Sequence, residues 1–172
     1  MLDPEFAREQ HAFELARRTD LMGAVNLPVA LLSGLGGLAA LMTERFDYSS
    51  WLRVPFLAAM VASGITFAWT VALLARAYVG PTTTHLPTPR DMAEFQASLE
   101  ALYLGMDLPA ARADADFREQ LTRWYIDAAE RNRSKNDRQT AHLTRAGQGL
   151  VAVLLALTAC GILYLADALR RL

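Results

Sequence analysis

Two groups of polar residues in this chain have types and spacing that could do chemistry. The first lies between Glu130 and Arg145, where Arg131 and Lys135, Asn132 and Asn136, and Arg138 and His142 are each four residues apart. On a helix that spacing gathers Asn132, Lys135, Asn136, Gln139 and His142 on one face. Arg and Lys give charge-assisted hydrogen bonds to a phosphate, and Asn amides can pair donor and acceptor with a base edge. Arg131, Asn132, Lys135, Asn136 and Arg138, with Arg17 and Arg18, therefore form a candidate site for an anionic ligand. A solvated helical stalk explains the same residues without any ligand.

The second group is Asn26, Pro28, Ser33, Gly34, Gly37 and Thr66, all within apolar surroundings. Pro28 lacks a backbone donor and leaves a carbonyl one turn earlier without its partner. Asn26 can satisfy such local backbone groups. Ser33, Gly34 and Gly37 make a small-residue face that permits close helix contact. Alternatively, Asn26, Ser33 and Thr66 line a wet path through an oligomer, as neutral polar side chains can in a pore.

Other chemistry is missing from the sequence. It holds no Gly-rich phosphate loop, no His-Glu metal motif and no nucleophile elbow, and no carboxylate is paired with a histidine in a recognisable pattern. A single cysteine, Cys160, excludes an internal disulfide framework and a cysteine-based metal site. The expectation is a protein that is not an enzyme and has no cofactor or metal. With 17 basic against 18 acidic residues, the net charge of −1 also argues against binding nucleic acid.

The elements that must position these residues are dominated by three charge-free stretches, Leu21–Met42, Val54–Ala75 and Ala146–Ala166, of 22, 22 and 21 residues. A helix needs roughly 20 residues to cross about 30 Å of hydrocarbon. Hydrophobic residues make up 53% of the chain, too many for one small soluble core to absorb. The expected fold is all-α: a three-span helical membrane protein with a small helical cytoplasmic module between spans two and three. Residues 1–20 form an N-terminal helix, 21–42, 54–75 and 146–166 the spans, and 76–145 a linker and helical module. Asp3, Glu5, Glu9, Glu14 and Asp20 precede the first span, so it is not expected to be a cleaved signal.

Of the 17 Lys and Arg residues, Arg45, Arg53, Arg170 and Arg171 fall on one side of this topology and the other thirteen on the opposite side. The positive-inside rule then places the N-terminus and the 76–145 insert in the cytoplasm of a multi-pass inner-membrane protein. No charge lies deep in a span, and His11, His85 and His142 lie outside them, which disfavours proton relays and a bis-histidine haem.

Local signals fill in the rest. Asp3, Pro4 and Glu5 start the first helix, with Phe6, Phe13 and Leu15 as its thin apolar face. Tyr48 and Trp51 suit interfacial anchors between the first two spans. The three prolines and one glycine of Val79–Pro89 mark a linker. Thr88, Pro89 and Asp91 open an amphipathic helix bearing Met92, Phe95, Leu99, Leu102, Tyr103 and Met106, which ends between Gly105 and Pro109. Phe117, Leu121, Trp124 and Tyr125 continue the apolar spacing, and the helix then runs into the third span with a bend expected at Gly147 and Gly149. A module of this size leaves aromatic surface uncovered, so a homo-oligomer is expected.

This arrangement resembles the membrane-type Pycsar effectors of bacterial anti-phage signalling and, less closely, the two-span effectors that accompany other nucleotide cyclases. The resemblance covers nearly the whole chain. It lies in a helical N-terminus ending in Arg18-Thr19-Asp20 directly before span one, here followed by Leu21-Met22-Gly23, a close pair of spans, a helical insert, and a polar helix leading into span three. It implies a receptor for a cyclic pyrimidine nucleotide that impairs inner-membrane integrity and causes abortive infection, with the lipid bilayer as its target. The alternative is a non-catalytic structural or assembly subunit of a membrane complex.

Overall fold

A computed structural model describes residues 3–79, 83–106 and 108–171 of the 172. Every regular element among them is helical: α1 (Pro4–Gly23), α2 (Asn26–Arg45), α3 (Arg53–Tyr78), α4 (Pro89–Tyr103) and α5 (Pro109–Arg170). Of the expected linker, Gly80, Pro81 and Thr82 lie outside the described residues, as do Asp107 in the α4–α5 turn and Met1, Leu2 and Leu172. Residues 83–88 are irregular.

The segments Pro4–Arg45, Arg53–Tyr78 and Pro109–Arg170 are each long and apolar enough to cross a membrane. The first is interrupted at Ala24 and Val25, and Pro28 explains the position. Its missing N–H would have bonded the Ala24 carbonyl, so the helix restarts only with Val29 N–H on Val25 O.

The chain forms two units, one of Met1–Asp20 with Pro81–Asp137, the other of Leu21–Gly80 with Arg138–Leu172. In the first, α1 buries Ala7, His11 and Glu14 rather than the expected Phe6 and Phe13, which are 48% and 60% exposed. Ala7 is small and Glu14 is hydrogen-bonded to Asn136, whereas the two phenyl rings stay on the outer side of α1. At the start of α4, Thr88 Oγ1 accepts from Asp91 N and the Asp91 carboxylate accepts from Thr88 N, a complete capping box. The Phe95 ring of α4 packs on Phe117 and Trp124 of α5, with centroids 6.4 and 5.4 Å apart.

In the second unit, α2, α3 and the later part of α5 share two apolar clusters. One contains Leu32, Leu73, Leu74, Val153 and Leu157. The other is built on Phe46, Leu52, Phe56 and Cys160, with Phe46 and Phe56 stacked at 3.9 Å. Next to it, the buried Asp167 carboxylate accepts from Asp47 N at 3.3 Å and pairs with Arg171. These contacts leave most of the apolar surface uncovered: only 11%, 22% and 22% of the residues in the three most apolar windows are buried.

The helix does not end or break at Gly147 and Gly149; α5 is one uninterrupted helix through both. Gly149 serves a close approach, because a Cβ there would fall on the Thr70 hydroxyl and lie 3.3 Å from Thr70 Cβ. Thr70 is fully buried and tied to Thr66 O at 2.8 Å, so it cannot give way cheaply. At Gly147 a Cβ would meet nothing. Gly149→Ala should therefore lower the melting temperature in detergent, at a cost of about 1–3 kcal/mol, and Thr70→Ala should restore most of it. Gly147→Ala should be neutral or slightly stabilising. Equal melting temperatures for the two alanine variants would refute this assignment of Gly149.

Candidate functional site

The richest polar constellation lies in the first unit, where α1, the 83–88 segment and α5 meet. Asn132 is 2% exposed, and its amide clasps one residue at both ends. Thr84 N–H donates to Asn132 Oδ1 at 2.8 Å, and Asn132 Nδ2 donates to Thr84 O at 3.1 Å. One turn on, Lys135 Nζ donates to Thr84 Oγ1 at 2.9 Å. The irregular segment thus finds on α5 the backbone partners that its own conformation does not supply.

The next turn of α5 holds α1. Buried Asn136 donates through Nδ2 to Glu14 O at 2.8 Å and to Glu14 Oε2 at 2.9 Å. Arg17 lies 3.6 Å from the same carboxylate and forms a 2.8 Å ion pair with Asp137. A buried carboxylate is tolerated only with such partners. His11, one turn before Glu14 and 7% exposed, stands edge-on to the Tyr125 ring with centroids 5.8 Å apart. Its Nδ1 is buried without a hydrogen-bond partner. Burial, and secondarily the charge of His85, lower its imidazole pKa from the ordinary value. Elsewhere in the unit, a hydrogen bond to Asp116 raises the Tyr103 phenol.

Of the expected ligand residues, Asn132, Lys135, Asn136 and Arg17 are thus engaged within the chain. Arg131 and Arg138 are exposed on α5 and Arg18 is half-buried, and none of the three forms an ion pair among the described residues. Gln139 is buried as well. His11, Glu14 and Thr84 were not among the expected residues. The signal for the first two is the Ala7, His11, Glu14 spacing, a helical stripe of small and polar side chains; Thr84 carries no comparable signal.

In the second unit, Asn26 and Ser33 line a groove of about 490 Å³ between α2 and α3, together with Val29, Phe67, Val71 and Tyr78. Its walls are mainly apolar. The Ser33 hydroxyl donates to Val29 O at 3.0 Å, and Thr66 Oγ1 donates to Ala62 O and Ser63 O. Both hydroxyls therefore return to their own helix, as such side chains commonly do. Gly34 and Gly37 have nothing within 4 Å of where a Cβ would stand, so neither glycine makes a close contact among the described residues. Pro28 acts on the α1–α2 break described above. No group of three metal-ligating side chains occurs among the described residues.

No protein-family model, curated protein or solved structure matches this chain. The reading of the site therefore rests on its own geometry.

That geometry predicts a specific weakness. Asn132→Ala would leave the Thr84 N–H and carbonyl without their partner, at a cost of about 1–3 kcal/mol. Hydrogen exchange at residues 83–88 should accelerate, while exchange in the α2–α3 pair stays unchanged. Unaltered protection of residues 83–88 would show that the clasp contributes nothing.

Proposed function

We propose that this chain is a three-span protein of the bacterial inner membrane, with its N-terminus and residues 76–145 in the cytoplasm. On this reading it is a homo-oligomeric anti-phage effector that binds a cyclic pyrimidine mononucleotide and then breaches the membrane. The observation that carries it is the continuity of α5. An arginine-bearing polar stretch and the apolar stretch 146–166 belong to one uninterrupted helix, which on this reading carries the ligand signal from the first to the second. The largely uncovered apolar surface of the three long helices supports the bilayer as their solvent. Their charge-free middles carry nothing suited to selective transport, which favours a breach over a carrier.

Within this proposal Arg131 and Arg138 are the anion contacts, because they are exposed and form no ion pair among the described residues. Both are carried by α5, seven residues apart in sequence. Asn132, Lys135 and Asn136 keep the supporting structure in place. A nucleotide phosphate held by either guanidinium gains charge-assisted hydrogen bonds, each worth about 1.5–3 kcal/mol.

The test is membrane integrity in growing bacteria, followed with a membrane-impermeant dye and a potential-sensitive probe. The chain is expressed alone and with a pyrimidine nucleotide cyclase. Leakage only with the cyclase is expected, and Arg131→Ala with Arg138→Ala should abolish it at unchanged protein level. Intact membranes in both cases would overturn the effector reading and favour the structural-subunit alternative. Normal leakage from the double variant would overturn the assignment of the two arginines.

A further inference from the structure

Residues 83–88 are irregular, and among the described residues no backbone-to-backbone hydrogen bond reaches 83–87. Their hydrogen bonds to α5 run through Thr84. Its N–H donates to Asn132 Oδ1 at 2.8 Å while its carbonyl accepts from Asn132 Nδ2 at 3.1 Å. Its hydroxyl accepts from Lys135 Nζ at 2.9 Å. A donor and an acceptor side by side on one primary amide is also the pairing by which asparagine reads a base edge. Both pyrimidines offer it, cytosine with its exocyclic amine beside a ring nitrogen and uracil with a ring N–H beside a carbonyl. We propose that residues 83–88 are an autoinhibitory strap, in which Thr84 takes the place of a pyrimidine edge on Asn132 until the nucleotide displaces it.

The two asparagines of α5 hold partners of different kinds. Asn136 grips α1, a helix of 20 residues that satisfies its own backbone and has a second tie in the Arg17–Asp137 ion pair. Asn132 grips a segment with no regular structure of its own, so its partner is the replaceable one. With the strap in place Asn132 is 2% exposed, and its amide is closed to an outside ligand. Arg131, the residue before it, is exposed and open to a phosphate.

The exchange replaces like with like. The base edge takes over both bonds of Asn132, a phosphate oxygen takes the hydroxyl's place on Lys135, and the released Thr84 groups pass to water. No buried donor or acceptor is left unpaired on α5, which is the costly outcome that the exchange avoids. The apparent dissociation constant is then the intrinsic one divided by the fraction of molecules whose strap is off. The strap rests on the nucleotide reading of the proposed function and adds the regulation of that site. Asn132 and Lys135 thereby hold the strap in the resting chain and the ligand in the active one.

The experiment is equilibrium dialysis of cyclic CMP and cyclic UMP against the full chain in detergent, with hydrogen exchange read at residues 83–88. Saturating nucleotide should lower the protection of that segment in the native chain, whereas a purely structural clasp would keep or gain it. Thr84→Pro, which has neither an N–H for Asn132 nor a hydroxyl for Lys135, should bind about tenfold tighter than the native chain. Thr84→Val loses only the bond to Lys135 and should bind about threefold tighter, so the test survives a Thr84→Pro chain that fails to fold. Binding by either variant but not by the native chain would also support the strap. Retained protection of 83–88 in the saturated native chain, or affinities of both variants no higher than the native one, would each overturn the strap and leave the nucleotide reading standing. Binding of neither nucleotide to the native chain or to either variant would overturn that reading, and the strap with it.

Discussion

The uninterrupted course of α5 is the constraint on which the rest of the structure depends. From Pro109 to Arg170 each backbone N–H and carbonyl in its interior is satisfied within the helix, so the helix can present two very different surfaces without a break. In the first unit it offers amides and aromatic rings, and α1, α4 and the 83–88 segment attach to them. In the second it offers small and branched apolar side chains, and α2 and α3 attach to those. The close approach at Gly149 belongs to this second surface, where a missing Cβ lets the α3 threonine sit against the helix backbone.

The two units use different cohesive forces. Apolar contact dominates the second, and Asp167 with Arg171 and the Asp47 amide is its principal buried polar feature. The first is held by side-chain amides acting as backbone substitutes: Asn132 for Thr84, Asn136 for Glu14 and its carbonyl. Such bonds contribute modestly when made and are expensive when left unmade. That asymmetry defines one registry of α1 and the 83–88 segment on α5. A shift of one residue would leave buried donors and acceptors without partners.

It also separates two roles that the residue types alone confound. An Asn–Lys–Asn series on a helix offers the same donors to a phosphate, a base edge or the chain's own backbone. Here the chain takes them. The exposed arginines flanking the series, Arg131 and Arg138, are left for the anion-binding role in the proposed function.

Length, charge and hydrophobic spacing by themselves determined the helical class, the three long apolar helices, the capping box at Thr88 and Asp91, and the stop between Gly105 and Pro109. These are consequences of short-range backbone chemistry and of composition, which act within a few residues. The partners of Asn132, Asn136 and Glu14 were not determined in that way, because the residues they meet lie 48 to 122 positions away. The same holds for the buried face of α1, where Ala7, His11 and Glu14 prevail over Phe6 and Phe13. It holds too for Gly149, whose close approach to Thr70 depends on a residue of another helix. Which polar side chain is buried, and against what, is settled only when distant helices pack, because hydrogen-bond geometry and steric fit are properties of the pair and not of either sequence segment.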